Sequence, residues 1–215
     1  MKAIHTVKDK IMERHKVFIS YHHFNDQQYK NDLEEMNIEH DIFINRSVSL
    51  GDIDESEDTQ TIREKIRDDY LKDTSVLILL VGTETQNRKH VDWEVYSSMR
   101  DSPKNKKSGI LVVNLPSTKT TCIRSTHGEG EKTQIHPTIS SWTSISDRSS
   151  FEKRFPYMPA RIIDNFMRAD SYISVVNWEQ IYWNPENLRT LIELTYQDRE
   201  KCSYDMSRPM RKRNG

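Results

Sequence analysis

"DTSVLILLVGTETQNRKHVDWEVYSSM" (residues 73–99) decides the fold class. Its first part, Val76–Val81, is a run of apolar residues with no polar position on either side. That is the pattern of a strand buried on both faces, as in the centre of a parallel sheet covered by helices. A polar loop, "TETQNRK", follows, and residues 90–101 then take helical spacing. At 100° per residue, Val91, Val95 and Met99 form one apolar stripe. Glu94 lies about 60° to the other side of Val91, at the stripe's edge, and Trp93 points roughly opposite the stripe. A carboxylate there, in the first turns of a helix that leaves a strand's C-terminal end, borders a crevice and is favoured by the helix dipole.

The same strand–helix alternation extends outward. Val17–Tyr21 in "KVFISYHHFND" is short, β-branched and aromatic, and predicts a buried strand. Tyr29, Leu33 and Met36 predict a helix over 26–36 that starts near Asn25 or Asp26, both good N-caps. Residues 38–44 alternate enough for a second strand, and 45–60 form a polar loop. Ile62, Ile66 and Tyr70 are spaced for a helix, and "ILVVNLP" is a fourth strand. The pattern is βαβαβαβ, which predicts a flavodoxin-like α/β fold. The expected sheet is parallel, with about five strands, helices on both faces and a C-terminal elaboration.

Past Pro116 the pattern thins. Residues 117–150 are rich in Ser, Thr, Gly and His, and predict a loop or irregular insertion. "HGEGEK" lacks the spacing and the preceding strand of a phosphate loop. "ARIIDNFMRAD" predicts a short helix and "SYISVVNW" a fifth strand. "NPENLRTLIELTYQDREK" predicts a final helix with Asn184 as N-cap, Pro185 first, and Leu188, Leu191, Ile192 and Thr195 inward. The expected organisation is a lead-in at 1–15, in which "VKDKIMERH" can form a short helix, and one domain over 16–200. That domain has a core at 16–116, the insertion at about 117–150 and a helix–strand–helix unit at 158–200. A flexible basic tail follows at 201–215.

Composition limits the function classes. The 215 residues are 34% hydrophobic and 30% charged, with a formal net charge of −1. The near balance of 32 basic and 33 acidic residues gives no global footprint for nucleic acid. No apolar run approaches membrane-spanning length and the N-terminus has no signal-peptide pattern, so the expectation is a cytoplasmic protein without a membrane partner. Cys122 and Cys202 stand outside any CxxC pattern and are expected as free thiols. No metal-ligand spacing is visible. His22 and His23 are adjacent on an extended segment, point to opposite sides and make a poor metal pair.

Such sheets bind ligands outside the C-terminal ends of their strands. Those ends offer Ser20, Tyr21, His22, His23 and Asn25 after the first strand. They offer Asn45, Arg46, Ser49 and Asp52 after the second. Ser20 and His22 share one face, Tyr21 and His23 the other, which favours His22 over His23 as a substrate-binding group. Arg46 can hold a phosphate through its planar fork, although a loop arginine is more often solvated, and Arg88 and Lys89 either contact phosphate or simply balance charge.

With "KVFISYHHFND", "NRSVSLGD", "IRDDYLKDTSVLILLVGTETQNRKHVDWEVYSSM" and "KNKKSGILVVNLP" in view, the chain resembles a TIR-like domain. The kind is that of the NAD-processing protein of Thoeris anti-phage systems. The resemblance covers 16–116. It implies that Glu94 engages the nicotinamide-side ribose of NAD+ and is required to cleave the N-glycosidic bond. It further implies that Ser20, Tyr21, His22, His23 and His90 line the pocket. The loop at 45–55, with Asn45 and Arg46, would cover it. NAD+ is then substrate, with no metal. The product would be a cyclic ADP-ribose isomer or a conjugate made with free histidine as acceptor. Through that small molecule an effector protein would be activated, and a homo-oligomer is possible within the family. Two departures stand out. His90 occupies the place of a common Trp, with Trp93 directly before Glu94, and Tyr21 replaces a common Phe. His127 and His136 either shape the acceptor side or belong to a solvated insertion. The competing expectation is a non-enzymatic TIR-like adaptor acting by self-association. A response-regulator module is disfavoured, since Gly82-Thr83 stands where a phosphoacceptor Asp would end the third strand.

Overall fold

The computed structural model describes residues 13–47, 71–103 and 105–215. Its strands are β1 (Lys16–Ser20), β2 (Ile44–Asn45), β3 (Val76–Val81), β4 (Gly109–Asn114) and β5 (Ser174–Asn177). They form one sheet in the order β2-β1-β3-β4-β5, with every pair parallel. This is the flavodoxin-like order, and its switch point falls between β1 and β3. All six residues of β3 and all six of β4 are buried. Their unbroken apolar runs therefore do become two-sided central strands.

The helices are α1 (His23–His40), α2 (Lys89–Met99), α3 (Glu129–Ile135) and α4 (Arg148–Arg154). They continue with α5 (Ala160–Phe166), α6 (Trp178–Tyr182) and α7 (Pro185–Asp198). Strand alternation divides the core in two. Phe18, Leu77, Leu79, Ile110 and Val112 pack with Val91, Val95 and Met99 of α2 and with the apolar residues of α4 and α5. Val17, Ile19, Ile78, Leu80 and Val113 pack with Leu33 of α1 and with α6 and α7. Leu188, Leu191, Ile192 and Thr195 are the buried residues of α7. Gly109 lets α7 approach β4: a Cβ there would lie 2.4 Å from the Thr195 carbonyl oxygen.

Four local expectations are corrected. Helix α1 starts at His23 rather than near Asn25 or Asp26, and Asp26 is a buried first-turn residue, not a cap. The same helix runs through His40, so 38–44 is not a strand. Ile38 is exposed, Asp41 turns into the left-handed region, and the Asn37 side chain accepts the N–H groups of Ile42 and Phe43. Only Ile44–Asn45 then joins the sheet.

The stretch 117–150 is also more ordered than expected. It contains α3 and the start of α4, and Arg124 pairs with Val175 of β5. Glu131, fully buried, organises it: Oε2 accepts the N–H groups of Thr126 and His127 and the Ser174 hydroxyl. Those N–H groups wrap a carboxylate of the chain itself.

Finally, residues 203–215 are not a free tail. The Trp93 indole donates to the Arg211 carbonyl at 2.8 Å, and Arg211 N–H donates to Asp92 at 2.7 Å. Tyr204 donates to the Ser108 carbonyl, and Gly215 N–H to that of Asn87. The tail covers the side of α2 that faces away from the sheet, so Trp93 is fully buried. The expected helix over Ile62–Tyr70, the loop from 48 onward with Ser49 and Asp52, and the helix in 1–12 lie outside the described residues.

Candidate active site

β1 ends at Ser20 and α2 carries Glu94 in its second turn, on the sheet face that Phe18 also serves. The Ser20 hydroxyl donates to Glu94 Oε2 at 2.6 Å. Glu94 is 3% exposed, and burial pushes its carboxyl up to about 8, with the Ser20 bond pulling the other way. A buried carboxylic acid tuned towards neutrality at the C-terminal end of a parallel sheet is a strong candidate for chemistry.

Tyr21 turns to the opposite face. It is buried, its hydroxyl donates to Gln27 at 2.7 Å, and its ring lies 4.5 Å from that of His23. Burial raises the phenol to about 12, and Glu94 adds to the rise, so the two groups are within electrostatic reach. His22 is buried, and its Nδ1 has no hydrogen-bond partner among the described residues. Burial holds it below its ordinary value, and the nearby Arg88 charge pushes the same way. His90 stands one helical turn before Glu94, its ring edge-on to Trp93 at 5.2 Å.

The structure therefore gathers Ser20, Tyr21, His22, His90 and Glu94 around one strand end, with His23 against Tyr21. It does not bring Asn45 and Arg46 there. Asn45 is level with Val17, three positions before Ser20, and about 10 Å short of it along the strand. Its amide donates to Glu34 at 2.6 Å, and Arg46 is exposed. His127 is at the opposite edge of the sheet: it bonds Asp198 at 2.8 Å and faces Thr195, which packs on the first residue of β4. His136 Nδ1 accepts the side-chain amide N–H of Gln180 at 2.8 Å, beyond the end of β5.

One residue at this rim escaped the sequence reading. Asp26 is buried with its carboxyl raised to about 6 by burial, and the Thr85 hydroxyl faces it at 3.4 Å. A Cβ on Gly82 would lie 2.5 Å from both of its oxygens, so Gly82 is what lets Asp26 reach the end of β3. An Asp in the first turn of a helix looks like an ordinary dipole partner in sequence, and nothing local marks it as buried.

Residues 18–120 match the family described as Thoeris protein ThsB, TIR-like domain. Residues 18–120 form a ThsB-type TIR-like domain. The match supports a defence-related TIR-like protein, and its span runs from Phe18 in β1 through β4 and includes α1 and α2, hence Ser20, Asp26, His90 and Glu94. α3 to α7, β5 and the tail lie beyond the TIR-like match. No curated protein matches the chain. Among the described residues, no helix is long and apolar enough to cross a membrane. No cluster of three or more His, Cys, Asp or Glu is placed to hold a metal ion.

Proposed function

We propose that this ThsB-type domain binds NAD+ as substrate at the β1–α2 rim and cleaves its nicotinamide–ribose bond, with Glu94 as the catalytic carboxylate. The buried Ser20–Glu94 pair within the family-matched span carries this reading. Nicotinamide departs through an oxocarbenium-like state, and a carboxylate beside the ribose stabilises the developing charge. Burial favours the protonated form of Glu94 in the free protein. The cationic nicotinamide ring, once bound, favours its ionised form. Tyr21, His22 and His90 would wall the ring side.

The ADP-ribosyl product is then closed into a cyclic isomer or transferred to an acceptor such as free histidine, and the released molecule activates a partner effector. A cytoplasmic setting, where NAD+ is at hand, suits this chemistry. The test is to incubate purified protein with NAD+, with and without histidine, and to measure nicotinamide and the product mass. Equal nicotinamide release by wild type and Glu94→Gln would sink the proposal.

An adaptor acting by self-association is the second reading. Phe24 and Ile38 are 91% and 81% exposed on α1, and they fall within about 40° of each other around the helix. It predicts that Phe24→Ser with Ile38→Ser abolishes defence while Glu94→Gln does not.

A further inference from the structure

Outside the Ser20–Glu94 rim lies a cleft of about 220 Å³, between the start of α2, the start of α5 and residues 208–211. Arg88, Arg161, Arg208 and Arg211 line it, with Asp92 as its carboxylate. Two of the four arginines are paired with carboxylates. Arg161, 1% exposed, forks onto Asp92 at 2.9 and 3.1 Å and also donates to the carbonyls of Arg208 and Pro209. Arg208 forks onto Asp164.

The other two keep donors in hand. Arg88 comes no nearer than 3.7 Å to Glu84, and its buried Nε has no hydrogen-bond partner among the described residues. Among the described residues, the Arg211 guanidinium donates only to the Asn87 carbonyl, at 3.4 Å, through one terminal nitrogen. Asp92 is neutralised by Arg161 and Asp164 by Arg208, which leaves the lining with a positive excess. The N-terminal end of the eleven-residue α2 adds its dipole to that field. Planar guanidinium forks match the oxygens of a phosphoryl group. The volume is below the roughly 300 Å³ at which pockets begin to enclose drug-sized ligands. It has room for one or two phosphoryl groups and not for a whole dinucleotide.

We propose that this cleft is an anion site for a phosphate or diphosphate group, held by Arg88 and Arg211. It is not the crevice of Glu94. Asp92 and Glu94 are two residues apart, roughly 200° around the helix. Asp92 faces the cleft while Glu94 meets Ser20 on the sheet side. Arg88 stands between the two, since its charge is felt by His22. An anion bridging Arg88 and Arg211 also joins the cap of α2 to the C-terminal segment.

Isothermal titration of the full chain with inorganic diphosphate, and separately with ADP, at constant ionic strength tests this. The expected result is saturable single-site binding, weakened roughly tenfold or more by Arg88→Gln and by Arg211→Gln, and unchanged in Glu94→Gln. Binding of diphosphate assigns the site to a free anion. Binding of ADP alone, with the same arginine dependence, assigns it to the phosphoryl end of a larger ligand. Arg211→Gln keeps the main-chain bonds to Asp92 and Trp93, so the tail stays docked, and near-UV circular dichroism checks that. Absence of saturable binding by either ligand overturns the proposal. So does wild-type affinity in either arginine variant, or loss of binding in Glu94→Gln.

Discussion

The Ser20 hydroxyl donates to Glu94 across the junction of β1 and α2, 74 positions apart in the chain and buried from water. It opposes the burial that raises Glu94 to about 8. If the ionised carboxylate is the working form, kcat/KM for nicotinamide release rises with pH through about 8. Ser20→Ala removes the opposing bond and moves that limb to higher pH. A pH profile that is flat from 6 to 9, in both proteins, would contradict this.

Glu94 also sets a pH dependence of stability. Its pKa is near 4.5 when unfolded and about 8 when folded. Between those values the folded state holds a proton that the unfolded state has lost, so stability falls as pH rises. Glu94→Gln removes the burden. Its gain in stability is expected to be absent at pH 4, to grow through neutrality and to level off above pH 8, reaching roughly a few kcal/mol. Thermal melts of both proteins across that range measure it.

Arg161 and Asp92 form a buried fork that holds the tail. Arg161→Gln leaves a buried carboxylate without its cation and is expected to cost about 3–5 kcal/mol in urea unfolding. Replacing both partners, with Arg161→Met and Asp92→Leu, is expected to cost less than the single change, because no unpaired charge remains.

Two glycines separate packing from propensity. Gly109→Ala drives a Cβ onto the Thr195 backbone carbonyl, so α7 must leave β4, and soluble folded yield collapses. Gly130, inside α3, has nothing within 4 Å of an added Cβ. Gly130→Ala is expected to stabilise by about 0.5–1 kcal/mol through helix propensity, read as a higher Tm.

Much of this was legible in the chain because β3 and β4 are apolar without interruption and α2 repeats every three to four residues. Those patterns are local, and they placed Glu94 near a strand end before any contact was known. The second strand was misplaced for an equally local reason. Residues 38–44 alternate, but Asn37 and the left-handed Asp41 close the helix only after His40. Asn45 and Arg46 follow a strand, yet the register of β2 on β1 leaves them level with the start of β1. Register is a pairing property that neither strand states alone. The helical wheel aimed Trp93 away from the sheet without showing what would cover it, because the cover comes from Arg211, 118 positions later.

That last distance bears on synthesis. Asp92 and Trp93 leave the ribosome long before residues 208–211, so the outer side of α2 stays uncovered while the rest of the sheet forms. Until the late segment arrives, Trp93 is a sticky indole on a nascent chain and Asp92 lacks its Arg211 amide. Chaperone dependence is therefore expected to concentrate at this one face, and to end once residues 208–211 have cleared the exit tunnel.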